Sequence, residues 1–212
     1  DIYAYLYLHT HTLLAPDGQY AMITSNSWLD VSYGGVLKGF FLAHYRIKMI
    51  IATWAEPWFD DASVNTVITV LEREPNDEKR TTHYVNFVKL KKPIRELVPA
   101  LPDRLDSAKR WQQLDALVTK IEGAVYHPRQ TQVTEHVKTL ELPEMRIRMV
   151  KQDFLLSELD KNMESNKWGP YLRAPDVYFT ILDRCHDKLV PLKSVADVRF
   201  GIKTGINDFF YL

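Results

Sequence analysis

The sequence predicts an α/β fold, and three observations carry that expectation. Three apolar runs of strand length, Tyr20–Thr24, Ile47–Ala52 and Val64–Leu71, lie close together near the start of the chain. A stretch with helical periodicity, Tyr33–Tyr45, separates the first two, and no helix separates the second from the third. Polar and aromatic residues stand where the runs meet their loops, which is where open α/β sheets place ligands.

Each element follows from local chemistry. Ile2–Leu14 reads as a helix, with Ile2, Leu6, Leu13 and Leu14 on an apolar stripe and Tyr3 and Tyr7 beside it. Ala15-Pro16-Asp17-Gly18-Gln19 is a turn built on Pro and Gly. Tyr20–Thr24 has no polar alternation and predicts a strand buried on both faces. In Tyr33–Tyr45 the apolar face is Leu37, Phe40, Phe41 and Tyr45. A loop spanning 53–64 joins the last two strands, which are expected to pair antiparallel.

Beyond Glu72 the pattern loosens. Glu74–Thr82 reads as an exposed polar loop, and Tyr84–Leu90 alternates as an edge strand does. Leu105–Ile121 has helical spacing at Leu114, Leu117, Val118 and Ile121. Residues 123–143 give no clear pattern, Met145–Val150 alternates like a half-buried strand, and Gln152–Asp160 reads as a short helix. Lys167–Pro175 reads as an irregular loop, Pro175–His186 as a helix with Pro near its first turn, and 192–212 as the start of a β region.

Composition narrows the function classes. The chain has 212 residues, 46% hydrophobic and 25% charged, enough for a sizeable core. Lys plus Arg and Asp plus Glu both number 27, so a nucleic-acid partner would need a local basic face. The lone Cys185 forms no internal disulfide, which suits a reducing, cytoplasmic location. No apolar run approaches the roughly 20 residues of a membrane span, so no membrane partner is expected. The chain begins with Asp1 inside a helical pattern and stops in the strand-like Asp208–Leu212, which reads as a piece of a longer polypeptide.

Several chemistries lack their motifs. Neither GxGxxG nor GxxxxGK[ST] occurs, and there is no CxxC, HExxH or GxSxG. His9 and His11 lie two apart on a helix and face different sides, so no metal site is expected. Asp60 and Asp61 read as loop solvation.

One combination is specific. Thr24-Ser25-Asn26-Ser27-Trp28-Leu29 after the first strand, Tyr33-Gly34-Gly35 at the helix start, and Trp58-Phe59 ahead of Val64-Asn65-Thr66 resemble the adenine-N6 DNA methyltransferases. The likeness is to the large single-chain restriction–modification and phage-defence enzymes. Lys167-Trp168-Gly169-Pro170-Tyr171-Leu172-Arg173-Ala174-Pro175 and Gly201-Ile202-Lys203-Thr204-Gly205-Ile206-Asn207-Asp208-Phe209-Phe210 add to it. The resemblance is strongest over 1–73 and 166–212, and its motifs stand in the family's order.

That resemblance implies a partial Rossmann-like methyltransferase sheet, with the third strand between the other two and paired antiparallel to the second. The first strand then has an edge to be covered by later residues, another copy, or the missing N-terminal half. It also implies three parts: 1–90 as the C-terminal half of the catalytic domain, 91–190 as a largely helical connector, and 191–212 as the start of a target-recognition domain. The implied activity is methyl transfer from S-adenosylmethionine to the adenine amino group in double-stranded DNA. The family's Gly-rich cofactor motif and Pro-Pro-Tyr loop lie upstream, and no Pro-Pro pair occurs here. Catalytic and cofactor residues are therefore expected outside this segment, which alone would bind no S-adenosylmethionine and be inactive.

What remains has a physical logic. A base taken out of a duplex needs an aromatic face to replace its lost stacking, worth about 1–3 kcal/mol per base. Phe59 and Trp58 match the family there, with packing on the core as the plain alternative. Asn65 and Thr66 could orient that loop, and Asn26, with Ser27 and Trp28, could shape the base pocket; strand start, helix cap and packed Trp are the structural readings. Lys203, Thr204 and Asn207 are candidates for DNA phosphates. Lys89, Lys91, Lys92 and Arg95, and likewise Arg146, Arg148, Lys151 and Arg173, read as solvated cations. The competing function is a non-catalytic nucleic-acid or protein-interaction module on the same scaffold.

Overall fold

A computed structural model of the chain describes residues 1–59, 65–98, 107–163, 166–190, 192–197 and 199. Helix α1 (Ile2–Leu13) leads through a turn into β1 (Gln19–Ser25). The 3-10 turn Asn26–Leu29, α2 (Tyr33–His44), β2 (Tyr45–Thr53) and β3 (Thr66–Arg73) follow. Then come α3 (Asp77–Thr81), β4 (Tyr84–Leu90), α4 (Ile94–Leu97), α5 (Ser107–Glu122) and the 3-10 turn Gly123–Tyr126. Strands β5 (Thr131–Gln132), β6 (Val137–Glu141) and β7 (Met145–Lys151) precede α6 (Gln152–Lys161), α7 (Gly169–Arg173) and α8 (Asp176–Arg184).

All seven strands form one sheet in the order β1-β3-β2-β4-β7-β6-β5. β3 lies between β1 and β2 and is antiparallel to both, with Ser25 opposite Thr66 and Ile50 opposite Thr69. This is the expected α/β arrangement, with three adjacent strands and the last pair antiparallel. β2 and β4 run parallel, so the carboxyl ends of β1, β2 and β4 share one end of the sheet.

Two layers cover the sheet. On one face α1, α2, α6 and α7 pack over Ile50, Val67, Leu71, Val85 and Phe87, together with Trp28, Phe41 and Trp168. On the other, α5 and the turn after it contribute Ile121 and Ala124 against Met49, Val88, Leu140, Ile147 and Met149. A buried aliphatic or aromatic side chain is worth roughly 1.5–3 kcal/mol, so these two layers dominate stability.

Several expectations need correction. β1 is half-exposed rather than buried on both faces, because among the described residues nothing pairs with its outer edge. Tyr84–Leu90 is a central strand between β2 and β7, since it buries Asn86 and Lys89 along with its apolar residues. Tyr7 is the buried residue of α1, wedged edge-on against Tyr20 and Phe41, while Ile2, Leu6 and Leu13 are exposed. Glu74–Thr82 is a capped turn and short helix: Asn76 accepts from the Lys79 amide, and buried Arg80 donates to the Glu74 carbonyl. Lys167–Pro175 contains α7, not an irregular loop. The stretch 91–190 adds β5, β6 and β7 to its helices and widens the sheet across residue 90. Most of the β region expected over 192–212 lies outside the described residues.

Candidate functional site

The sequence-based candidates converge on the carboxyl ends of β1 and β2. The Asn26 amide donates to the Asn65 carbonyl at 2.9 Å, and Thr66 stands opposite Ser25 in the β1–β3 register. Asn26, Asn65 and Thr66 therefore form one bracket where the chain leaves β1 and returns into β3. Ser25, not Ser27, is the cap of the 3-10 turn: its hydroxyl oxygen accepts from the Ser27 amide at 3.2 Å.

The loop after β2 carries the aromatic candidates and is held by three local bonds. The Thr53 hydroxyl accepts from the Ala55 amide at 3.1 Å, the Trp54 amide donates to the Leu90 carbonyl at 2.9 Å, and Glu56 accepts from the Ile94 amide at 2.8 Å. Trp58 is half-buried and packs against the Met49–Val88–Ile147 layer. Phe59 is 47% exposed at the sheet's carboxyl end. Of the two aromatics, Phe59 presents a free face and Trp58 spends much of its surface on packing.

The Lys167–Pro175 motif docks directly beside this end. The Trp168 amide donates to the Leu29 carbonyl at 2.8 Å, and the Trp168 ring meets Trp28 at 6.0 Å and Phe87 at 5.9 Å between centroids. Asp30 accepts from the Gly169 amide at 3.1 Å and from the Arg173 guanidinium at 2.6 Å. A side chain at Gly169 would come within 2.5 Å of both Asp30 carboxylate oxygens, so this hold needs glycine. Lys38, fully buried, donates from Nζ to the Asn166 carbonyl at 2.5 Å, and burial pushes its ammonium down to about 8. The two sequence segments of strongest resemblance are thus in contact.

Arg148 holds the following turn. Its guanidinium, wholly buried, donates to the carbonyls of Pro170, Tyr171 and Ala174, to Asp176 and to Thr139, and lies 4.4 Å from the Phe179 ring centroid. The reading of Arg148 and Lys89 as solvated cations is therefore wrong: both are buried, because the strand carrying each is central in the sheet. A hydrophobic pattern does not reveal a buried guanidinium; the only signal was its place within the alternating run Met145–Val150.

Other candidates do not join this site. Asp17, Glu72 and Glu74 approach one another at the opposite end of β1 and β3, where Arg46, Lys48 and Lys79 neutralise Glu72 and Glu74. His11 packs with His44 at 4.6 Å and Phe40 at 5.3 Å between ring centroids, and bonds the Tyr45 hydroxyl, while His9 is exposed. Lys203, Thr204 and Asn207 lie outside the described residues, as does 60–64.

The match to a known family falls on the N-terminal part of the chain. Residues 1–59 match the Eco57I restriction-modification methylase family. The Eco57I match runs from α1 through β2 to Phe59, and so includes the β1 turn and the aromatic loop. The type IIG restriction endonuclease BpuSI is a similar solved structure, at 12% identity and a TM-score of 0.48. That match covers 77% of this chain, which spans only 15% of the BpuSI chain. No curated protein matches. Among the described residues, no helix is long and apolar enough to cross a membrane.

Proposed function

We propose that this chain forms the base-facing part of a site-specific DNA methyltransferase that moves a methyl group from S-adenosylmethionine to the N6 amino group of adenine. The observation that carries the proposal is Phe59, 47% exposed on the loop that leaves the carboxyl end of β2, within the segment that matches the Eco57I methylase family. The extruded adenine stacks on Phe59, and Asn26, Asn65 and Thr66 fix the path of the two loops that frame it. Lys203, Thr204 and Asn207 are assigned to the DNA backbone on the family motif alone.

The methyl donor's site is not built from these residues. No glycine-rich turn follows β1 or β2, and Glu56, the acidic residue of the aromatic loop among the described residues, is spent on the Ile94 amide. No step is therefore derived through the donor, and polarisation of the adenine amino group belongs to chain outside this segment. Double-stranded DNA is the partner, and the free β1 edge is open to the rest of the catalytic domain or to another copy.

Phe59→Ala in the parent polypeptide tests the assignment. Loss of one base–aromatic stack of about 1–3 kcal/mol lowers methyl transfer to adenine roughly 5- to 150-fold, with unfolding unchanged because Phe59 is half-exposed. Trp58→Ala shows the opposite division, a loss of stability before a loss of chemistry. Turnover unchanged in a folded Phe59→Ala enzyme removes the stacking role. The absence of a Pro-Pro loop from this sequence favours a second reading, a non-catalytic binding module, and a parent that binds DNA without transferring methyl groups to it supports that reading instead.

A further inference from the structure

The end of the sheet that carries Phe59 also carries a buried cation without an acid. Lys89, on the last turn of β4 before Leu90, is only 5% exposed. Among the described residues its ammonium has no carboxylate or hydrogen-bond partner and lies over the indole of Trp54, itself 72% exposed. Arg146 stands directly opposite Lys89 in the β4–β7 register, and Arg148 and Arg173 face it from β7 and α7. The carboxylates on this side are already engaged: Asp176 by Arg148, Asp30 by Arg173, and Glu141 by Lys91.

A buried ammonium flanked by guanidiniums is costly unless an anion completes it. Burial and the three guanidiniums push Lys89 down to about 8, and Glu141 only partly opposes them. Removing the proton would relieve the charge; supplying an anion would relieve it better. On the solvent side this end is formed by Trp54, which is largely exposed, and by the Arg173 side chain, 53% exposed.

We propose that Lys89 and Arg146, beside Trp54, bind a phosphodiester of the nucleic-acid strand lying across the carboxyl ends of β2 and β4, while Arg173 stays paired with Asp30. The assignment rests on the reading of this end as DNA-facing. A phosphate offers non-bonding oxygens to Lys89 Nζ and to the Arg146 guanidinium, which also donates to the Leu172 carbonyl, and the strand lies outside, beside Trp54. Such a contact fixes position on the duplex and reads no base.

The test is DNA binding by the full chain, read by fluorescence anisotropy of a labelled mixed-sequence duplex across a salt series. Lys89→Met removes one phosphate contact, so affinity at low salt falls and the slope of log K against log salt drops by about one. Because Lys89 is buried, Trp54→Glu is the companion: at an exposed position it supplies the missing carboxylate, pairs with Lys89 in a folded protein and gives the same drop. Both variants keeping the parental affinity and slope overturn the site. Competition by millimolar inorganic phosphate at constant ionic strength, lost in Lys89→Met, marks a free-anion site and overturns the assignment to a strand. A parent that transfers no methyl group, while binding still depends on Lys89, removes the methyltransferase reading and leaves the phosphate site standing.

Discussion

Two glycines on α2 make opposite predictions from the same substitution. At Gly34 an added Cβ would lie 1.8 Å from the Trp28 carbonyl oxygen and 2.8 Å from its carbon. Both are backbone atoms, so no rotamer relieves the clash; the first turn of α2 and the 3-10 turn must part by ~1.6 Å to restore ordinary contact. That separation opens the layer in which Trp28, Phe41 and Trp168 are wholly buried. Overpacking against rigid backbone stands at the upper end of the usual range, so Gly34→Ala costs ~3 kcal/mol or more. At Gly39 the nearest atom to a Cβ is Leu159 Cδ2 at 3.5 Å, an ordinary contact, and the residue is mid-helix. Gly39→Ala therefore stabilises by ~0.5–1 kcal/mol through helix propensity. In a chain of this size each kcal/mol moves Tm by about 2–4 °C. Thermal unfolding followed by circular dichroism should show Gly34→Ala lower by roughly 6–12 °C and Gly39→Ala higher by a few degrees. A Gly34→Ala protein that melts with the parent refutes the packing of α2 onto Trp28.

Two further outcomes follow from buried polar groups. His83 Nε2 donates to the Ile47 carbonyl, 3.2 Å away, and burial beside Lys48 and Arg46 lowers it from its ordinary value to about 4. The folded value lies below the unfolded one, so its contribution is complete above pH ~6.5 and is lost as pH falls from there through about 4. At ~1.4 kcal/mol per pH unit the ceiling is ~3 kcal/mol; urea midpoints of His83→Gln against parent should converge as pH drops through that window, and parallel curves refute it. Arg148→Met strands the Asp176 carboxylate's hydrogen bond and three carbonyl acceptors, and costs ~3–5 kcal/mol with early proteolysis of 166–190. Arg148→Lys keeps the charge but not the fork and recovers only part of that loss in the same urea titration.

The part of the fold legible in the sequence is the part in which burial coincides with apolarity. Tyr20–Thr24, Ile47–Ala52 and Val64–Leu71 are nearly uninterrupted apolar runs, and the missing helix between the last two predicted their antiparallel pairing, while the place of β3 between β1 and β2 came from the family resemblance. β4 was misplaced at an edge because Asn86 and Lys89 break its apolar run, yet both are buried: the Asn86 amide donates to the Lys48 carbonyl of the neighbouring strand, and Lys89 lies under Trp54. β6 gave no signal because Val137–Glu141 is short and half polar. The site divides in the same way. That Asn26 and Asn65 stand where β1 ends and β3 begins could be read from the sequence, since strand ends are sequence-local, and Phe59 was named on the family resemblance. Asp30, Trp54 and Lys89 could not, because their roles depend on partners up to 143 residues away.

The contact between the distant segments says what the intervening chain is for. Trp28 and Trp168 meet ring to ring, Asp30 grips Gly169 and Arg173, and Lys38 grips Asn166, so the 3-10 turn after β1 is one wall of the fold that holds α7. Arg148 on β7 is the opposite wall, bonding the carbonyls of Pro170, Tyr171 and Ala174. α7 is clamped between a loop of the methylase-like segment and a strand that arrives only after the sheet has been widened by β4. The widening strands are thus the frame that sets the direction in which the chain beyond α8 departs. Residues placed by that frame, Lys89 and Arg146 among them, face the same end of the sheet as Phe59. The carboxyl end of the sheet is thus assembled from segments far apart in sequence, joined where Trp28 meets Trp168.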